Sequence, residues 1–232
     1  MNADALEKRL AQQDVSRQLF FVVDFQLCYK TEAQSVPAEV CIKPFNFINT
    51  PSDVAPFHAI LSQRVPIPHI LSAKHYTDTE HAIPSDLEPD TDYAVLWKRM
   101  NDYVRESTTR FKDTATPVFL CKPFHATLQC LEHITASAKQ DLQRSAFRLL
   151  YPIDDLIAFI NATQKITPNV NLIARFFQPL FLWDCSTDFC CEYHKDHGRR
   201  EFRCSKTNTE YFCRSLCELA RPLISTQQGH AF

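Results

Sequence analysis

The sequence predicts an α/β protein: one mixed five-stranded sheet, a three-strand antiparallel meander plus two further strands, flanked by helices. Three patterns carry that expectation. The amino-terminal third holds three apolar, branched or aromatic runs separated by short polar breaks, as a meander requires. The remainder alternates helical stripes with short strand-like runs, the mark of a layered α/β architecture. No internal repeat or low-complexity linker interrupts the 232 residues, so one domain is expected.

The elements follow in order. Leu19 to Cys28, LFFVVDFQLC, has the composition of a strand buried on both faces. Val36 to Phe47 and Ala55 to Leu61 continue the meander, with Pro37 and Pro44 keeping the ends of the second strand near an edge or bulge. Ser62 to Pro89, rich in Pro, His, Ser, Thr and Asp, reads as a long irregular connection. Asp90 or Thr91 then caps a helix whose stripe is Tyr93, Leu96, Trp97, Met100 and Val104. A fourth strand is expected at Pro117 to Cys121, a helix along Phe124, Leu128, Leu131 and Ile134, and a fifth strand at Ala146 to Tyr151. Pro152 suits the first position of the next helix, with Asp154 and Asp155 near its positive end. Phe212, Leu216, Leu219 and Leu223 describe a closing helix. The domain is therefore expected over residues 19–224, with loose segments at 1–18 and 225–232.

Composition excludes several functions. A net charge of -2, from 25 basic against 27 acidic residues, exerts no global pull on nucleic acid, so such contact needs a local patch. Two glycines, Gly198 and Gly229, leave no phosphate cradle, dinucleotide turn or nucleophile elbow. The amino terminus has no apolar signal core, and the longest apolar stretch, Val170 to Trp183, contains Arg175, Gln178 and Pro179 and falls short of a bilayer span. No secretion and no membrane anchor are expected, so the ten cysteines should stay reduced, as buried thiols plus a metal site.

This order of elements is that of the RNase H-like superfamily, whose exonucleases hold two metals with carboxylates, two of them on the first strand one residue apart. Asp24 and Gln26 occupy that pair here, and Gln26 carries no charge; the fourth-strand region offers only the later Glu132. A hydrogen-bonded polar role for Asp24 is therefore expected. More informative is Cys191-Glu192-Tyr193-His194, followed after nine intervening residues by Cys204. Two ligands three apart reach one zinc ion from a single turn, a third arrives from the next segment, and a fourth must come from elsewhere.

On four segments the chain resembles the Maelstrom domain: PAEVCIKPFNF, AILSQRVPIPHILSAKHYTDTEHAIP, YAVLWKRMNDYV and CEYHKDHGRREFRC. The resemblance spans roughly Phe20 to Leu223. It implies an RNase H-like fold derived from DEDD exonucleases, in which a Glu-Cys-His-Cys zinc site replaces the catalytic carboxylates. Carried onto this sequence, the ligands would be Glu39, Cys191, His194 and Cys204, with one structural zinc ion. Glu39 and Cys41 share one face of the second strand, and Cys41 is the competing ligand. Cys213 and Cys217, four apart, read as small buried hydrophobes.

Between Lys195 and Lys206 the cations Lys195, Arg199, Arg200, Arg203 and Lys206 outnumber Asp196 and Glu201, beside Tyr193 and Phe202. Phosphate neutralisation with aromatic stacking suits single-stranded RNA. The resemblance implies a factor of germline piRNA silencing of transposons, in cytoplasm (perinuclear granules) and nucleus, with single-stranded RNA and small-RNA silencing proteins as partners. The 18 residues before the domain cannot hold the high-mobility-group box of many animal members, so no DNA contact of that kind is expected. Three activities stand open: an RNA-presenting module without catalysis, a single-strand endoribonuclease whose catalytic residues are unknown, and a two-metal exonuclease.

Overall fold

The apolar runs of the sequence become five strands: β1 (Phe20–Lys30), β2 (Ser35–Phe45), β3 (Phe57–Ile60), β4 (Val118–Cys121) and β5 (Leu150–Pro152). Among the described residues seven α-helices accompany them: α1 (Ala3–Leu10), α2 (Ile70–Tyr76), α3 (Tyr93–Phe111), α4 (Phe124–Ser137), α5 (Ile153–Gln164), α6 (Glu192–His197) and α7 (Ser205–Gln228). This computed structural model describes residues 3–11, 13–48, 54–88, 90–111, 116–164, 189–197 and 203–228. The expected stretch Val170 to Trp183, together with Cys185, Arg199, Arg200, Glu201 and Phe202, lies outside them. Among the described residues no helix is long and apolar enough to cross a membrane.

The sheet order is β3-β2-β1-β4-β5. The first three strands form the antiparallel meander, and β4 and β5 run parallel to β1. β2 is fully buried and interior, yet both its prolines are tolerated. Pro37 faces the irregular register of β1 around Leu27, and β3 pairs only with Glu39 to Ile42, so Pro44 lies beyond its reach.

Two apolar layers cover the sheet. Val23, Phe25, Val40 and Ile42 pack on one face against α3 and α4; Phe20, Val22, Phe45, Val118 and Leu120 pack on the other against α1, α5 and α7. The alternation of β2 therefore turns Glu39, Cys41 and Lys43 toward α7. Each finds a polar partner there: Glu39 Oε2 accepts from the Ser205 N–H at 2.8 Å, Cys41 Sγ lies 3.1 Å from Thr209 Oγ1, and Lys43 Nζ pairs with Glu210 at 2.7 Å.

Four expectations change. The segment 62–89 is not irregular throughout: it contains a 3-10 turn and α2, because Ala73 and Ile83 are buried on Cys28, Tyr29, Val36 and Ala38. The cap of α3 is Asp92, whose Oδ1 accepts from the N–H groups of Ala94 and Val95 at 2.9 and 3.0 Å; Asp90 and Thr91 bond Ser62 instead. The fifth strand is shorter than read, since residues 146–149 form a 3-10 turn. The first 18 residues are not all loose, for Leu6 and Leu10 of α1 are fully buried beside α5, and at the other end α7 continues to Gln228.

Lys43 and Glu210 are only 3% and 8% exposed. Removing one member of a buried pair strands a charge, at a cost of about 3–5 kcal/mol, whereas apolar replacement of both is near neutral. Chemical denaturation should therefore show Glu210→Ala strongly destabilised, and the Lys43→Met/Glu210→Leu double variant close to the wild type.

Candidate metal centre

The strand alternation that aims Glu39 at α7 also decides what surrounds it. In the β1–β2 register Glu39 stands opposite Gln26, and Cys41 opposite Asp24. Glu39 is thus in the same row as the paired positions of the first strand, displaced by one strand. The other half of the site comes from two helix starts. Cys191 precedes α6, whose first turn closes by the Lys195 N–H donating to the Cys191 carbonyl, and this turn brings His194 over Cys191. Cys204 precedes α7 and accepts the Asn208 N–H in the same manner. A thiolate ahead of a helix is favoured by the positive end of the helix.

Glu39, Cys191, His194 and Cys204 converge, their donor atoms all within 4.8 Å of one another. His194 Nδ1 is 2.9 Å from Cys191 Sγ and 3.7 Å from Glu39 Oε1, and Cys204 Sγ is 3.5 Å from that oxygen. A tetrahedral ion with sulfur, nitrogen and oxygen donors at about 2.0–2.3 Å needs them roughly 3.3–3.8 Å apart, and separations that start at 2.9 Å and stay within 4.8 Å bracket that range, so the cluster is able to hold one ion after small side-chain adjustments. All four are buried, and a buried carboxylate beside two thiols is costly without a compensating cation.

Neighbouring groups hold the donors in place. His194 Nε2–H donates to the His81 carbonyl at 2.7 Å, which leaves Nδ1 as the lone-pair nitrogen facing the cluster. His81 is itself fixed, its Nε2–H on the Leu27 carbonyl and its Nδ1 accepting from the Ile83 N–H. His58 Nε2 donates to Glu39 Oε1 at 2.7 Å. Burial pushes the Glu39 carboxyl up, but the His58 bond, the neighbouring His194 and His58 rings and the Ser205 N–H outweigh it, so the group is held below the usual carboxylate range. The hydrogen bond with Cys204 holds the Cys191 thiol down against the effect of burial.

Sequence reasoning missed His58 and His81. His58 was legible in principle, since it faces Cys41 across β2–β3 and so lies diagonal to Glu39. His81 gave no signal, as it lies in the segment read as irregular. Cys41, the competing ligand, is outside the cluster: it is bonded to Thr209 and burial raises its thiol well above the ordinary value, which favours the protonated form. Cys213 is fully buried in the apolar layer and Cys217 packs beside it. The nine described cysteines are free thiols.

Asp24 does accept hydrogen bonds, from Gln26 Nε2 at 3.2 Å and Asn208 Nδ2 at 3.1 Å. The start of α7 lies over it. Glu132 is exposed on α4, against the opposite face of the sheet, and offers Asp24 no company. Of the five cations singled out, Arg199 and Arg200 lie outside the described residues. Arg203 pairs with Glu80 at 2.8 Å and Lys195 with Glu192 at 3.3 Å. Lys206 has no ion pair among the described residues.

Sheet order and site together define an RNase H-like nuclease fold carrying a buried Glu-Cys-His-Cys cluster able to hold a metal ion. A solved structure shares the fold. The nuclease domain of 3'hExo, a DEDDh family member bound to rAMP, superposes with a TM-score of 0.53 at 11% identity over 90% of this chain and 94% of that one. Exonuclease I in its product-bound form gives 0.49 at 11% identity over 90% of this chain, and the E. coli enzyme with a dT13 oligonucleotide 0.48 at 12% over 91%. The chain spans less than half of exonuclease I, 43% and 42% in the two structures. Comparison with curated proteins gives no match. The family model for Maelstrom, a piRNA pathway germ-plasm component, matches residues 29–228, and the chain belongs to that family.

Two predictions follow from this geometry. The purified chain should hold about one equivalent of metal by elemental analysis, and Cys191→Ala or His194→Ala should lose it and lower the melting temperature, as chelation should for the wild type. Full stability of either variant without metal would exclude a structural centre. The second concerns Asp24, whose carboxyl is raised from 3.8 to about 7 by burial, with the Asn208, Ser205 and Gln26 bonds opposing. The unfolded chain releases this proton near 4 and the folded chain near 7, so its contribution to stability falls across that window and is lowest above it. Asp24→Asn should therefore be more stable than the wild type by about 1–3 kcal/mol at pH 8, an advantage that shrinks below pH 7 and vanishes near pH 4.

Proposed function

We propose that this chain is an RNA-silencing factor of the germline piRNA pathway, repressing transposons by binding single-stranded RNA on a zinc-clamped, RNase H-like domain. Membership of the Maelstrom family is the observation that carries the reading. Zinc is the ion that suits the donors: two thiolates, one imidazole and one carboxylate in a closed tetrahedral set. With four protein donors and no open position, the ion would supply folding energy and a fixed loop, not an activated water. Glu39, Cys191, His194 and Cys204 would hold it, while His81 and His58 orient two of them.

Two-metal exonucleolysis is disfavoured by charge. The first-strand pair is Asp24 and Gln26, and the former is buried under α7. Two divalent ions there would lack the anionic ligands that hold them between attacking and leaving oxygens. In this reading the domain works with small-RNA silencing proteins, in perinuclear granules and the nucleus.

Incubation with end-labelled linear and with circular single-stranded RNA, with and without chelator, tests this. The expected outcome is retention of both RNAs on the protein, with no end-trimming in either condition. Stepwise trimming that chelator stops would overturn the reading in favour of an exonuclease; cutting of circles that persists in Asp24→Asn would replace it with endonucleolysis by other residues.

A further inference from the structure

A cleft of about 390 Å³ opens beside the metal centre, between the edge strand β3 and helix α6. Pro56, His58 and Ile60 line it from the strand side, Tyr193 from α6 and Lys206 from the first turn of α7. We propose that this cleft binds one unpaired nucleotide of single-stranded RNA, with the phosphate on Lys206 and the base against the apolar and aromatic wall. The proposal rests on the single-stranded RNA reading above and assigns it a place.

Size is the first argument. Pockets for small ligands run from roughly 300 to 1,000 Å³, and this one is at the lower end, room for one nucleotide and none for a base pair. Charge is the second. Of the described cations in the basic segment, Arg203 and Lys195 already face carboxylates, whereas Lys206 lines the cleft with no ion pair among the described residues. The acidic lining residue, Glu192, is the partner of Lys195. The third argument is composition: a cation next to Tyr, Pro and Ile surfaces is what phosphate neutralisation with base stacking requires, and it is tolerant of base identity.

Rigidity is the fourth. One wall is hydrogen-bonded to the sheet through β2, and the other carries two of the four converging metal donors, Cys191 and His194. A preformed cleft spends less of its binding free energy on ordering its own side chains. An extended peptide on the β3 edge would use backbone pairing and would not need Lys206, so the cation favours RNA as occupant.

Fluorescence anisotropy with a labelled ten-nucleotide oligo(U) tests the assignment on the metal-loaded chain. Lys206→Ala should weaken binding about tenfold. Ala55→Glu, which sets a carboxylate at the exposed rim of the cleft, should do the same without touching the centre. Metal content and melting temperature should stay as in the wild type, and Lys98→Ala on α3 should leave affinity unchanged. Photocrosslinks from 4-thiouridine should map to residues 55–60 or 192–197, and duplex RNA should compete poorly. If the wild type binds RNA but both cleft variants bind equally well and crosslinks map elsewhere, the cleft assignment is wrong while the RNA reading stands. If the wild type binds no RNA, both fall. Equal competition by duplex RNA or by inorganic polyphosphate would overturn recognition of an unpaired base.

Discussion

Glu39 is a carboxylate with no solvent exposure in the middle of a five-stranded sheet, and α6 and α7 are arranged around that fact. A lone ionised group there would cost several kcal/mol, so it has to be neutral, paired or metal-bound. The surroundings favour the ionised form: the Ser205 N–H and the His58 ring both donate to it, and three metal-type donors stand within reach. An ion at that point would join β2 to α6 and α7 across more than 150 residues of intervening chain, by bonds that neither sheet nor helix can supply. Fold and centre are in this sense one construction.

The position of Glu39 also explains how an RNase H-like fold could accommodate a single ion. Two-metal sites need their acids clustered and wet enough to admit substrate. Here the first-strand row holds Asp24 and the uncharged Gln26, and the adjacent carboxylate is Glu39, one strand sideways and opposite Gln26. Asp24 remains, covered by Asn208, and burial raises its carboxyl to about 7, so near neutral pH much of it is protonated. The two carboxyls are coupled through α7. Its first residue donates to Glu39 and its fourth, Asn208, to Asp24, so the helix that completes the candidate centre also covers Asp24.

Much of this was legible in the sequence, and what was not has identifiable causes. Period-two and 3.6-residue patterns sufficed for the meander, α3, α4 and the closing helix, because each buries a continuous apolar face. α1 and α2 escaped because short helices gain their stability from tertiary contacts: Leu6, Leu10 and Ala73 carry it in the folded chain, and no local pattern announces them. Within the centre, Cys191, His194 and Cys204 were readable from local spacing. Glu39 was not, since Cys41 shares its face two residues on. Contacts remote in sequence decide between them, Thr209 bonding Cys41 and His58 bonding Glu39. The basic segment marks a limit of such reading, for a run of cations says nothing about which already face acids on other elements, as Arg203 faces Glu80.

The docking of α7 shows why such polar pairs belong in an otherwise apolar interface. Glu39, Cys41 and Lys43 meet Ser205, Thr209 and Glu210 along one seam of about two helical turns. An apolar seam tolerates sliding, because leucine against phenylalanine is nearly as good one turn along. This seam does not: a shift by one turn would leave Lys43 buried without its counter-charge, several kcal/mol worse than in register, while Glu210 would keep only Arg214 of its own helix. The helix is thereby indexed on the sheet before any ion binds, and Cys204, one residue ahead of it, is delivered to Glu39. α6, which brings Cys191 and His194 and is also a wall of the neighbouring cleft, is tied to the rest of the site through hydrogen bonds, His194 to the His81 carbonyl and Tyr193 to the Ala82 carbonyl. An ion held by the four donors would add bonds from α6 to β2 and α7, and its binding free energy would go into fixing that helix.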